Sequence, residues 1–100
     1  MTVGDVADHV RSKNAGPFQI TIDIFCGSPE AYARVGSGLD DGAVADALGI
    51  EPARLRRFEL PALRVIKLSA PRPAIQGSLA DRDMHGATPA VLVAGLPLRG

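Results

Sequence analysis

The chain has no tryptophan, three phenylalanines, one tyrosine and a single cysteine, Cys26. A core must therefore be built from Val, Ile, Leu and Ala. One cysteine excludes an intramolecular disulfide and a cysteine-based zinc cluster. Charge of one sign is also lacking: eleven basic residues balance eleven acidic ones, and the pI is near 6.7. That balance argues against a dedicated nucleic-acid binder, which carries a basic excess. The longest apolar stretch, residues 90–98, holds Gly95 and Pro97 and falls far short of the ~18 residues a membrane span requires. The polar N-terminus lacks a signal-peptide pattern, so a cytoplasmic protein is expected. Phosphate-binding Gly-rich loops, G-x-G-x-x-G, H-E-x-x-H and C-x-x-C are all missing. Two histidines, His9 and His85, leave little material for a Ser-His-Asp triad, and the Ser37 segment is no nucleophile elbow. Catalysis by the chain alone is not expected, nor is a cofactor.

What is present suffices for one folded domain over residues 1–100. Hydrophobic residues make up 46% of the chain and the mean hydropathy is +0.12. The charges are segregated along it. Residues 28–51 hold Glu30, Asp40, Asp41, Asp46 and Glu51 against Arg34 alone. Residues 54–72 hold Arg54, Arg56, Arg57, Arg64, Lys67 and Arg72 against Glu59 alone. Such blocks are either two solvated faces or complementary surfaces that join subunits or hold an anion.

Thr2 and Asp5 form a capping box, and Val3, Val6, Ala7 and Val10 recur at helical spacing, which predicts a helix over residues 3–13. Asn14 or Gly16 offers a left-handed exit, and Pro17 prevents continuation. Phe18, Ile20, Ile22 and Ile24 alternate with Gln19, Thr21 and Asp23, the pattern of a half-buried strand. Ser28-Pro29-Glu30 opens a short helix to about Val35, broken by Gly36 and Gly38. Asp40 caps another that Gly49 ends. Strands follow at residues 55–60 and 63–69, then a long loop over 74–88 and a last edge strand over 91–98. The order predicts an α+β fold: a two-layer sandwich with a mostly antiparallel sheet of about four strands and helices on one face.

The junction Arg11-Ser12-Lys13-Asn14-Ala15-Gly16-Pro17-Phe18 gathers two fixed cations, a hydroxyl, a carboxamide and a turn. Arg11 offers a planar fork, Lys13 a point charge and Asn14 an orienting amide for a carboxylate or phosphate. The bland alternative is a capped helix end with solvated cations. Asp23 either faces solvent or pairs with Arg11 or Lys13. Asp81-x-Asp83-x-His85 places three potential ligands on one side of an extended segment, a set that can hold Mn, Fe or Zn, although three polar loop residues are common without a metal. Cys26, at the end of an apolar strand, reads as a small buried hydrophobe.

The octapeptide, the Ile-rich strand and Pro29-Glu30-x-Tyr32 together resemble a family of small bacterial domains of unknown function, about the length of this chain. That family is encoded beside acyclic terpene utilisation (AtuA-type) proteins. Ala70-Pro71-Arg72-Pro73, Gly77-Ser78, Asp81-x-Asp83 and Gly86-Ala87 extend the resemblance. Thr88-Pro89-Ala90-Val91 departs from it, standing where the family has a Gln-Gln-His-Ala-Pro-type run. More distantly, Arg57-Phe58-Glu59-Leu60-Pro61 is similar to a segment of the ferredoxin-like C-terminal domain of AtuA-type proteins.

The resemblance implies a ferredoxin-like fold and an AtuA-type large subunit as partner, in a pathway of hydratase or lyase chemistry on a carboxylic acid or acyl-CoA. In that setting Lys13 and Asp23 would act in catalysis, while Arg11, Ser12, Asn14, Gly16, Arg72, Asp81 and Asp83 would bind substrate. The rival expectation is a non-catalytic interaction module or homo-oligomer that pairs its acidic and basic faces. A free-standing metal-dependent lyase built on Asp81, Asp83 and His85 ranks last.

Overall fold

The computed structural model describes residues 1–16, 18–71 and 87–99. Four strands, β1 (His9–Asn14), β2 (Gln19–Phe25), β3 (Arg56–Leu60) and β4 (Val65–Pro71), form one sheet in the order β1-β2-β4-β3. Every neighbouring pair is antiparallel. Helices α1 (Val3–Val6), α2 (Pro29–Gly38), α3 (Asp41–Leu48) and α4 (Ala87–Ala94) complete the described elements, with a 3-10 turn at Pro52–Arg54. β2 and β3 run parallel to each other on either side of β4, joined through α2 and α3, which is a split β-α-β connection. This is an α+β sandwich, as the element order predicts, and it is consistent with the ferredoxin-like fold that the resemblance implies.

The core sits on one face of the sheet. Ile20, Ile22 and Ile24 of β2 lie opposite Ala70, Leu68 and Ile66 of β4, and all are buried. Val3, Val35, Val44, Leu48 and Val93 from the four helices close over them. Each such aliphatic side chain contributes about 1.5–3 kcal/mol when fully buried. The buried cluster of described residues contains no aromatic ring, and Tyr32 packs against it half-buried.

Most of the predicted punctuation holds. Ser28 Oγ accepts the Ala31 amide at 3.1 Å with Pro29 in the first turn, and Asp40 accepts the Ala43 amide at 3.0 Å. Gly49 takes the left-handed conformation, φ 73°, that ends α3. α2, however, runs on through Gly36 to Gly38. Its last carbonyls are held from outside: Arg57 donates to Gly36 O at 2.7 Å and to Leu39 O at 3.0 Å.

Two elements differ from expectation. The helix expected over residues 3–13 stops at Val6, although the Thr2–Asp5 capping box forms with bonds of 3.2 and 2.9 Å. Ala7 is extended, and the Asp8 amide donates to Phe25 O, so the chain joins β2 and stays paired from His9 to Asn14. An isolated short helix is marginal, and a six-residue ladder beside an Ile-rich strand outcompetes it. The β1–β2 hairpin turns through Gly16 at φ 99°, a conformation that needs glycine although no atom crowds the site.

The strand expected over residues 91–98 is instead helix α4 followed by a short extended tail. Ala90 and Val93 are buried while Val91 and Leu92 are exposed, a helical spacing. A short apolar run does not declare its own period. The tail bonds to the N-terminus: Leu96 O accepts the Val3 amide, and Leu98 donates to Met1 O.

A candidate anion-binding face

With all helices on one side, the described helices leave the other face of the sheet open. Strand alternation decides what stands there. One row runs across the strands through Arg11, Asp23, Lys67 and Phe58, and the next through Lys13, Thr21, Ser69 and Arg56. A third row joins His9, Phe25, Val65 and Leu60, where the His9 ring stacks on Phe25 at 4.3 Å. The face is thus basic over two rows and apolar at one end. The acids Glu30, Asp40, Asp41 and Asp46 belong to the helical layer.

Two recesses open on this face. The smaller, about 80 Å³, is lined by Arg11, Ser12, Lys13 and Asp23. The larger, about 470 Å³, is lined by Gln19, Ala53, Arg54, Arg56, Ser69 and Pro71. Asp23 is flanked by Arg11 on β1 and Lys67 on β4, yet forms no ion pair with either. Its Oδ1 is shielded from solvent and has no hydrogen-bond partner, and the same is true of Thr21 Oγ1. Polar atoms in that condition are uncommon, and each has room for an ordered water or a ligand as its partner. A carboxylate there can accept a proton or a hydroxyl hydrogen bond, while Arg11 and Lys13 can hold an anion beside it.

The structure therefore brings Arg11, Lys13 and Asp23 together. Ser12 and Asn14 alternate to the helix side of β1, opposite Ile22 and Ile20, although Ser12 still borders the small recess. The Ser12 hydroxyl accepts the Ala90 amide of α4 at 3.2 Å, which ties the edge strand to the helical layer. Gly16 is a turn residue. Arg72, Asp81, Asp83 and His85, with Pro17, lie outside the described residues. Among the described residues no cluster of His, Cys, Asp and Glu is arranged to hold a metal, and no helix is long and apolar enough to cross a membrane.

Arg54, Arg56, Lys67, Gln19 and Ser69 escaped the sequence reading as site residues. The signal was present in the basic block over residues 54–72, but only the register shows which of its members share a face with Lys13. Arg57 does not: it points to the helices and pairs with Asp41 at 2.8 Å and Glu59 at 3.2 Å. Cys26 is buried, as expected, and burial first, then the nearby Asp8 carboxylate, push its thiol above the ordinary range. A thiol so placed is no nucleophile at neutral pH.

Fold and face together define a small α+β domain with an acidic helical layer and a basic open sheet. The chain belongs to the family described as Domain of unknown function (DUF4387), whose model matches residues 3–96. No curated protein and no solved structure matches it.

Proposed function

We propose that this chain is a small cytoplasmic accessory subunit that completes an anion-binding active site on a larger AtuA-type partner. The chemistry would be hydration or lyase chemistry on a carboxylic acid or acyl-CoA. The observation that carries this reading is the Asp23 carboxylate, set between Arg11, Lys13 and Lys67 with one oxygen unbonded in a small recess. A volume of about 80 Å³ equals that of two or three waters at roughly 30 Å³ each, so it grips one end of a ligand and leaves the other walls to a partner. Lys13 and Arg11 would hold the carboxylate, stabilising charge that develops next to it, and Asp23 would relay a proton.

Light scattering on the chain alone and after co-expression with its genomic neighbour tests this. A stable hetero-complex is expected. Within it, Lys13→Ala should keep assembly and lose about tenfold or more in turnover, the loss of one charge-assisted contact. A chain that ignores its neighbour would sink the proposal.

A second reading, a non-catalytic interaction or homo-oligomeric module, draws support from Phe58 and Leu60, which are 47% and 37% exposed on the edge strand β3 of this face. Head-to-head pairing of two such faces would bring like charges together. A homo-oligomer would instead set the basic sheet of one copy against the acidic helices of another, and the same light-scattering experiment would reveal it.

A further inference from the structure

We infer that the larger recess, between Gln19, Arg54, Arg56 and Ser69, is a separate subsite for the phosphate or diphosphate group of a small organic molecule. Arg54 ends the 3-10 turn and Arg56 opens β3, so two guanidiniums border one opening. Neither forms an ion pair with a described carboxylate. Their neighbour Arg57 shows the contrast, since it satisfies two acids and two helix carbonyls on the opposite face. Among the described residues no acid lines the recess, which disfavours a cation. Two planar forks match the several oxygens of a phosphate, and the Ser69 hydroxyl and Gln19 amide add neutral donors. The volume of about 470 Å³ exceeds what a lone phosphate fills and lies within the range of small-molecule sites. Ala53 and Pro71 give the organic part a wall.

The subsite lies on the same face as Asp23. Ser69 and Lys13 share a row two strand spacings apart, about 10 Å. One elongated ligand could reach both recesses, yet the phosphate subsite needs neither Asp23 nor a partner chain, so its failure would leave the preceding proposal standing.

The test is an amide NMR titration of the isolated chain at low ionic strength with pyrophosphate, inorganic phosphate, phenyl phosphate and acetate. Pyrophosphate and phenyl phosphate should shift Gln19, Arg54, Arg56 and Ser69 saturably, with acetate much weaker. The double variant R54Q/R56Q, at two exposed positions, should weaken binding about tenfold or more, from the loss of charge-assisted bonds. Arg34→Gln, on an exposed part of α2, should leave it unchanged. Shifts that never saturate, that spread equally to Arg34 and Arg64, or that acetate reproduces would overturn the subsite. Inorganic phosphate binding as tightly as phenyl phosphate would overturn the organic part of the assignment.

Discussion

Arg56 and Arg57 are neighbours in sequence and have opposite duties. Strand alternation sends Arg56 to the open face, while Arg57 turns inward and is only 15% exposed. Its guanidinium joins Asp41, Glu59 and the end of α2, so one side chain links β3 to two helices. Removing it leaves the Gly36 and Leu39 carbonyls and the Asp41 carboxylate without their donor, and Glu59 without its ion-pair partner. We expect Arg57→Ala to lower unfolding stability by about 2–4 kcal/mol, read from urea melts. Arg57→Lys should recover only part, because a point charge cannot serve acceptors on separate elements. A loss no larger than that of Arg56→Ala would refute this division. Both residues belong to the basic block that the sequence displays. Which one faces a ligand depends on register, and register is a property of the pairing with β4.

Among the elements, β2, α2 and α3 were legible because their signals are local. Alternating isoleucines, a Ser-Pro start and an Asp cap each act within one turn or one strand. β1 was not, because Val3, Val6, Ala7 and Val10 satisfy a helical period and only the β2 ladder makes the strand better. α4 was misread for the related reason that an apolar run of this length fits either period. The two readings of residues 91–93 differ in a measurable way. A strand would place Val91 and Val93 on the same face. The helix buries Val93 completely and leaves Val91 70% exposed. Val93→Ala should therefore cost about 2 kcal/mol of stability and Val91→Ala nearly nothing. Equal losses at the two positions would refute the helix.

For the whole molecule, a net charge of zero conceals a polar arrangement. Helices bearing acids cover one side of the sheet, and Arg11, Lys13, Arg56 and Lys67, with Arg54 at the border, stand on the other. The chain should bind a cation-exchange matrix near pH 7 at low salt despite a pI near 6.7. It should elute as ionic strength approaches ~0.15 M, where the Debye length falls to ≈ 8 Å. Replacing Arg11, Lys13 and Arg56 together by Gln should abolish retention, whereas replacing Arg34 and Arg64 should not. Retention that survives the triple change would mean that the charges do not act as one face.

The candidate site was half legible on the same grounds. Arg11, Lys13 and Asp23 could be singled out because they cluster in sequence beside a clear strand. Ser12 and Asn14 were read on one side with them, since a helix end would gather all four groups whereas a strand sends alternate side chains to opposite faces. The amino-acid sequence by itself determined an aliphatic core, the helix caps and the α+β class. Each follows from composition, from contacts within a few residues or from the order of the elements. Only the tertiary structure decided that residues 9–14 form a strand, that Arg54 and Arg56 share a face with Lys13, and that Asp23 keeps an unbonded oxygen there. Those features arise from pairing between segments far apart in the chain, where the free energy of the ladder and the shared core outweighs local preference.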